Sequence, residues 1–199
     1  MTDTVAIVLP PAGTTAGATA GAAASGMVDA LRAIPSRFRR VLVGPPGMRA
    51  VPGMEQRIAQ PSWFPGSACR RYAGGVATVL DDLLPAVIEV HDRPEVVLFL
   101  AERFRPVPVI LILHTDPQAL RGAHDGAART FLLAQATRAA TASAWVRARL
   151  LDGVHPAMRH CALLPGWEGE AQARQTVDLL DALRLDALQA WSRRLDATI

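Results

Sequence analysis

The sequence predicts an α/β protein: a single Rossmann-like, doubly wound parallel sheet followed by a long amphipathic helix at its C-terminal end. Three observations predict it. Short β-branched runs alternate with segments of helical composition from residue 5 to residue 164. Two of the apolar runs end in a histidine and a charged turn marked by proline, Val87-Ile88-Glu89-Val90 into His91-Asp92-Arg93-Pro94 and Val107-Pro108-Val109-Ile110-Leu111-Ile112-Leu113 into His114-Thr115-Asp116-Pro117. From Ala171 onward the pattern changes to apolar residues at helical spacing, and no further strand follows. Repeated strand-then-helix segments need parallel strands joined by crossover helices that cover both faces of the sheet.

Taken in order, residues 5–9 read as a first strand closed by Pro10-Pro11, and 41–43 as a second closed by Gly44-Pro45-Pro46-Gly47. Residues 22–34 between them have helical composition, and the dense basic run Arg37 to Arg40 reads as the solvated end of that helix. Residues 50–66 are rich in Pro and Gly and read mostly as loop, with one short candidate strand near 57–59. A helix over 70–84 is followed by the strand 87–90, a helix over 94–104, the strand 107–113, a helix over about 124–136 and a strand at 139–142. Ser143 is placed to accept an orphan N–H at the start of a helix running to Leu151. A last strand, 161–164, stops at Pro165-Gly166. The segment after it carries Val177, Leu180, Leu183, Leu188, Trp191 and Leu195 on one stripe of one long helix or two short ones. The expected organisation is a domain over 1–167 and a linker with the helical segment over 168–199.

At 199 residues, half of them hydrophobic, the chain is long enough for one domain with a substantial core. The net charge of +3 does not indicate a nucleic-acid partner, because the basic residues are all Arg and are interleaved with acids along the chain. Cys69 and Cys161 stand far apart with no ligand spacing around them, so neither a disulfide framework nor a zinc site is expected, and a reducing cytoplasm is the simplest setting. The start, Met1-Thr2-Asp3-Thr4, has no basic region, and the apolar run after it is too short for a signal peptide. No stretch approaches the ~20 apolar residues that cross a bilayer. The expectation is a cytoplasmic protein, with peripheral contact at the inner face of the membrane left open.

In parallel α/β sheets the carboxyl ends of the strands open onto the ligand crevice, so the two histidine turns are expected to line one site. The candidate residues are His91, Asp92, Arg93, His114, Thr115, Asp116, Arg121 and Ser143. Asp92 and Asp116 have a purely structural alternative as caps of the helices that follow them. A metal set of His91, Asp92, His114, Asp116 and His124 matches no known ligand cassette, and no metal is expected. His114 is harder to explain structurally, because an ionisable group ending a seven-residue apolar strand needs a partner; an imidazole there suits recognition of a sugar hydroxyl. The small-residue loop Gly13-Thr14-Thr15-Ala16-Gly17-Ala18-Thr19-Ala20-Gly21 sits where such folds present backbone N–H groups to an anion, yet fits neither the dinucleotide nor the Walker pattern.

The stretch Ile88-Glu89-Val90-His91-Asp92-Arg93-Pro94-Glu95, then 108–122 around His114, then Thr141-Ala142-Ser143-Ala144-Trp145-Val146-Arg147 and Leu163-Leu164-Pro165-Gly166, resembles the amino-terminal domain of family 4 glycosyltransferases of the GT-B fold over about residues 1–167. That resemblance implies an enzyme of two Rossmann-like domains with the site in the cleft between them. The amino-terminal domain would bind the acceptor, a glycan or lipid-linked molecule, and the other a nucleotide sugar as donor substrate, with no further cofactor. It would put Gly13 and Gly17 at the cleft, give His91 and His114 the catalytic positions, and place Asp92, Arg93, Thr115, Asp116, Arg121 and Ser143 around the substrate. The sequence departs from the family at Asp92 and Thr115, where Asn is usual, and at the link Pro165-Gly166-Trp167-Glu168-Gly169-Glu170, after which no second Rossmann domain follows. Three readings stay open: an acceptor domain completed by a separate donor-binding chain or a second copy of itself, a non-catalytic interaction module or truncated relic, and another α/β enzyme such as a hydrolase. The last is weakened by the absence of a Gly-x-Ser-x-Gly elbow.

Overall fold

The computed structural model describes residues 2–10, 27, 29, 31–63, 65–166 and 169–196, the last span without the side chains of 191 and 194–196. Its frame is one seven-stranded sheet. The strands are β1 (Thr4–Val8), β2 (Arg39–Gly44), β3 (Glu55–Ile58), β4 (Val87–His91), β5 (Val109–Leu113), β6 (Arg138–Thr141) and β7 (Ala162–Leu163), in the spatial order β3-β2-β1-β4-β5-β6-β7. Every neighbouring pair runs parallel. The sequence order reverses between β1 and β4, which makes their carboxyl ends the switch point where such sheets open a crevice.

The alternation of side chains along each strand sorts the apolar residues into two cores. One packs Ala6, Val8, Ile88, Val90, Leu111 and Leu113 under the helices α1 (Ala68–Leu83), α2 (Pro94–Arg103), α3 (Gly126–Gln135) and α4 (Ala144–Leu151). The other packs Val5, Ile7, Val87, Ile110 and Ile112 under Met27 and Leu31 of the helix before β2 and under the long helix α5 (Gly169–Asp196). Both faces are thus covered, which is why β1 from Val5 onward and β5 read as continuous apolar runs rather than alternating ones. α1 lies close against the chain leaving β3, where a Cβ on Gly75 would stand 1.9 Å from the Gln60 carbonyl oxygen.

Three local expectations are corrected. The segment 50–66 holds a true strand, β3, displaced from 57–59 to Glu55–Ile58; its polar residues are tolerated because it is an edge strand with Arg57 and Ile58 exposed. Arg39 and Arg40 of the basic run open β2 rather than ending a helix; Arg39 bonds the Glu55 carboxylate across the strand pair, and Arg40 donates to the Ile34 carbonyl. On α5 the buried stripe is Ala173, Thr176, Val177, Leu180, Arg184 and Ala187, so Leu183 and Leu188 flank it half-buried. The side chains of Trp191 and Leu195 lie outside the described residues.

Candidate functional site

β4 and β5 pair with His91 opposite Ile112, so His114, two residues further on, projects to the same face as His91 and lies diagonally beside it. The two rings are nearly parallel, 11° apart, with centroids 5.2 Å apart. His91 Nδ1 and His114 Nε2 stand 2.9 Å from each other. Glu89, two residues before His91 and therefore on that same face, is wholly buried, and its Oε1 lies 2.9 Å from His91 Nε2. Its Oε2 accepts from Arg184 Nε at 3.0 Å and Nη2 at 2.7 Å, joining β4 to α5 across the 95 positions that separate Glu89 from Arg184. Arg184, also wholly buried, uses Nη1 on Asp181 at 2.7 Å, and Asp181 in turn accepts from the Ser36 hydroxyl.

A carboxylate at zero exposure survives only with compensation. Burial pushes the Glu89 carboxyl up, but the Arg184 charge and the His91 N–H outweigh it and hold it at about 2. Burial, with the neighbouring His91, pulls His114 down to about 4, so His114 is neutral near pH 7. An ionised Glu89 can only accept, so His91 Nε2 carries a proton; with that as the only proton on the ring, His91 Nδ1 accepts from His114 Nε2–H. The last atom of this line, His114 Nδ1, is then a bare lone pair; it is buried and has no hydrogen-bond partner among the described residues. An unpartnered buried acceptor is unfavourable by about 1–3 kcal/mol, and a ligand hydroxyl placed against it would recover that cost.

The other sequence candidates fall into three groups. Asp92 joins the histidine pair as a frame. Its backbone is left-handed, φ 51°, and its Oδ1 accepts from the His114 N–H at 2.8 Å, the Thr115 N–H at 3.1 Å and the Thr115 hydroxyl at 3.2 Å. It therefore does not cap the helix that follows it, as its structural alternative had it; α2 begins at Arg93 with no side-chain cap. Asp116 and Ser143 are turned toward α4. Asp116 caps the short 3₁₀ turn Pro117–Ala119 and pairs with Arg149 at 2.9 Å, and Ser143 accepts from the Val146 N–H at 3.2 Å as cap of α4. Arg93 and Arg121 belong to a separate cleft of about 230 Å³ at the same sheet edge but over the opposite face, lined also by Pro45, Cys69, Tyr72, Glu95 and Leu120. There Arg121 pairs with Glu95 at 3.3 Å, Tyr72 donates to the Leu9 carbonyl at 2.6 Å, and burial together with Glu95 pushes the Cys69 thiol up to about 12. Gly13 and Gly17 lie outside the described residues. Among the described residues no three His, Cys, Asp or Glu side chains group as a metal site would require.

Sequence reasoning missed Glu89 and Arg184 as site residues. The signals were present: a glutamate inside an apolar strand, and an arginine at the i+4 position of the Leu180 stripe, each a charge where the pattern demands an apolar side chain. Nothing in the local pattern joins the two.

The sequence matches no family model, and it matches no curated protein. The structure is similar to a UDP-N-acetylglucosamine 2-epimerase from Rickettsia bellii, with a TM-score of 0.52 and 12% identity over 90% of this chain and 49% of that one. A UDP-GlcNAc 2-epimerase from Methanocaldococcus jannaschii gives a TM-score of 0.46 and 11% identity over 82% of this chain and 45% of the other. The chain spans about half the length of these proteins. At such identity the likeness to the first shows the fold alone, a GT-B-type, Rossmann-like α/β domain.

Proposed function

We propose that this domain is the acceptor-side half of a nucleotide-sugar enzyme of the GT-B type, a glycosyltransferase related to family 4, in which His114 receives a hydroxyl proton from the acceptor. The observation that carries the reading is the bare, buried Nδ1 of His114 at the end of the Glu89–His91–His114 line, on the carboxyl edge of the sheet beside the switch point. A neutral imidazole whose far nitrogen is already engaged can take a proton at Nδ1 and pass its Nε2 proton to His91, beside the Glu89 carboxylate. The acceptor is a glycan or a lipid-linked sugar, and the donor is a nucleotide sugar held by a second domain. That domain is supplied by a further part of a longer polypeptide, by a separate chain or by a second copy.

The test measures sugar binding and transfer with the 199-residue protein, a panel of UDP-sugars and glycan acceptors, with and without a candidate donor-binding chain. Transfer is expected only when the donor domain is supplied. His114→Ala should weaken acceptor binding by about 1–3 kcal/mol, roughly 5- to 150-fold, and, because it strands the buried His91 Nδ1, should also lower stability by about 1–3 kcal/mol in a protein that still folds. A variant that loses its fold but keeps its ligand affinity would make His114 a core residue and end this reading.

A further inference from the structure

We infer that Arg184, on the C-terminal helix, is a positioning residue of the histidine site: acting through Glu89, it fixes the order of protons along His91 and His114 and so makes His114 Nδ1 an acceptor. Arg184 has donors only, and two of its N–H groups converge on Glu89 Oε2. That oxygen must therefore be bare, and the carboxylate, with the Arg184 charge beside it, stays ionised inside the protein. Oε1 then has nothing to give and must accept from His91 Nε2–H at 2.9 Å. For a His91 ring that holds a single proton the consequence runs along the line: His91 Nδ1 accepts, His114 Nε2 donates across 2.9 Å, and His114 Nδ1 is left without a proton.

The guanidinium is itself held in place rather than adaptable. Nη1 is occupied by Asp181, which the Ser36 hydroxyl and the Arg37 N–H hold, and its carbon lies 6.0 Å above the Phe38 ring. The charged groups facing the pair from the packed elements are thus Glu89 and Asp92 on and beside β4, Asp181 and Arg184 on α5, and Arg40 on β2, whose charge opposes that of Arg184. The chemical use of the bare nitrogen rests on the proposed function; the order of the protons does not.

The nitrogen spectrum of the ¹⁵N-labelled, unliganded protein tests the order directly, because the two ring tautomers have distinct patterns and the chain has five histidines to assign. Both His91 and His114 are expected as the Nε2–H form. Glu89→Gln is the diagnostic variant: Arg184 requires the amide oxygen on its own side, which turns the amide NH₂ toward His91. His91 Nε2 must then accept, and both rings are expected to invert to the Nδ1–H form at unchanged geometry. Arg184→Met leaves the buried carboxylate without its cation, and the histidine pair should then take up its proton about one pH unit or more above the wild type, with Arg184→Lys restoring part of the difference. Either histidine in the Nδ1–H form in the wild type, an uninverted Glu89→Gln protein, or an Arg184→Met protein titrating like the wild type would overturn the inference. Inverted rings with unchanged acceptor affinity would leave it standing and end the proposed function instead.

Discussion

Asp92 shows how much one side chain can carry at this edge. Its left-handed backbone is unusual for a residue with a Cβ, and it persists because Oδ1 collects the His114 N–H, the Thr115 N–H and the Thr115 hydroxyl. Asp92→Ala keeps the strain and strands those donors, so it should lower stability by about 2–3 kcal/mol. Asp92→Gly loses the same bonds but relieves the backbone, and should cost about 1 kcal/mol less than the alanine. Urea unfolding at constant slope measures both, and equal losses would show that the turn is unstrained. At this scale the sequence was legible where chemistry is local: a histidine ending an apolar strand, a serine before a helix, an aspartate before Pro117. Glu89 and Arg184 were visible as anomalies, but their pairing is set by which helix lands on which strand, which no neighbouring residue encodes.

Among the elements, α5 is the clearest case of a pattern read correctly in kind and wrongly in phase. Apolar spacing alone favours Leu183 and Leu188, whereas the helix is rotated to bury Arg184, because two carboxylates wait for it and a charge left between them would be uncompensated. Val177 and Leu180 remain in the stripe, and Arg138 on β6 fastens the same helix through Asp186 at 2.5 Å. Leu180→Ala should therefore cost about 2–5 kcal/mol of unfolding free energy, the range for emptying a buried leucine site. Leu183→Ala, on the flank, should cost clearly less. Chemical denaturation of the two variants separates them, and a reversed ranking would place the stripe where apolar spacing alone puts it. β3 was only half legible for the opposite reason: Glu55–Ile58 lies at the sheet edge, where no buried face imposes an apolar pattern.

For the molecule as a whole, the fold class followed from the alternation of runs, while the order of the strands, and with it the switch point beside His91, is a property of packing that alternation leaves open. The buried line also sets the response to acid. His114 has its ordinary value near 6.5 when unfolded and is held at about 4 when folded, so between those values only the unfolded chain takes up its proton, and stability falls as the pH drops from 6.5 to 4. Glu89, held at about 2 against an unfolded 4.5, extends the loss from pH 4.5 down to 2. Urea midpoints measured from pH 7.5 to 3 should decline from the neutral side onward, and His114→Gln should flatten the upper part of that decline; an unchanged profile would remove His114 as its cause. The 95-residue separation of Glu89 and Arg184 also carries a consequence in time. The ribosome delivers every strand of the sheet before it delivers α5, so the nascent domain has its histidines but not the cation that orders their protons. The histidine edge is thus completed by a helix that emerges after the whole sheet, and assembly of the sheet and ordering of its histidine pair are separate events in the life of each molecule.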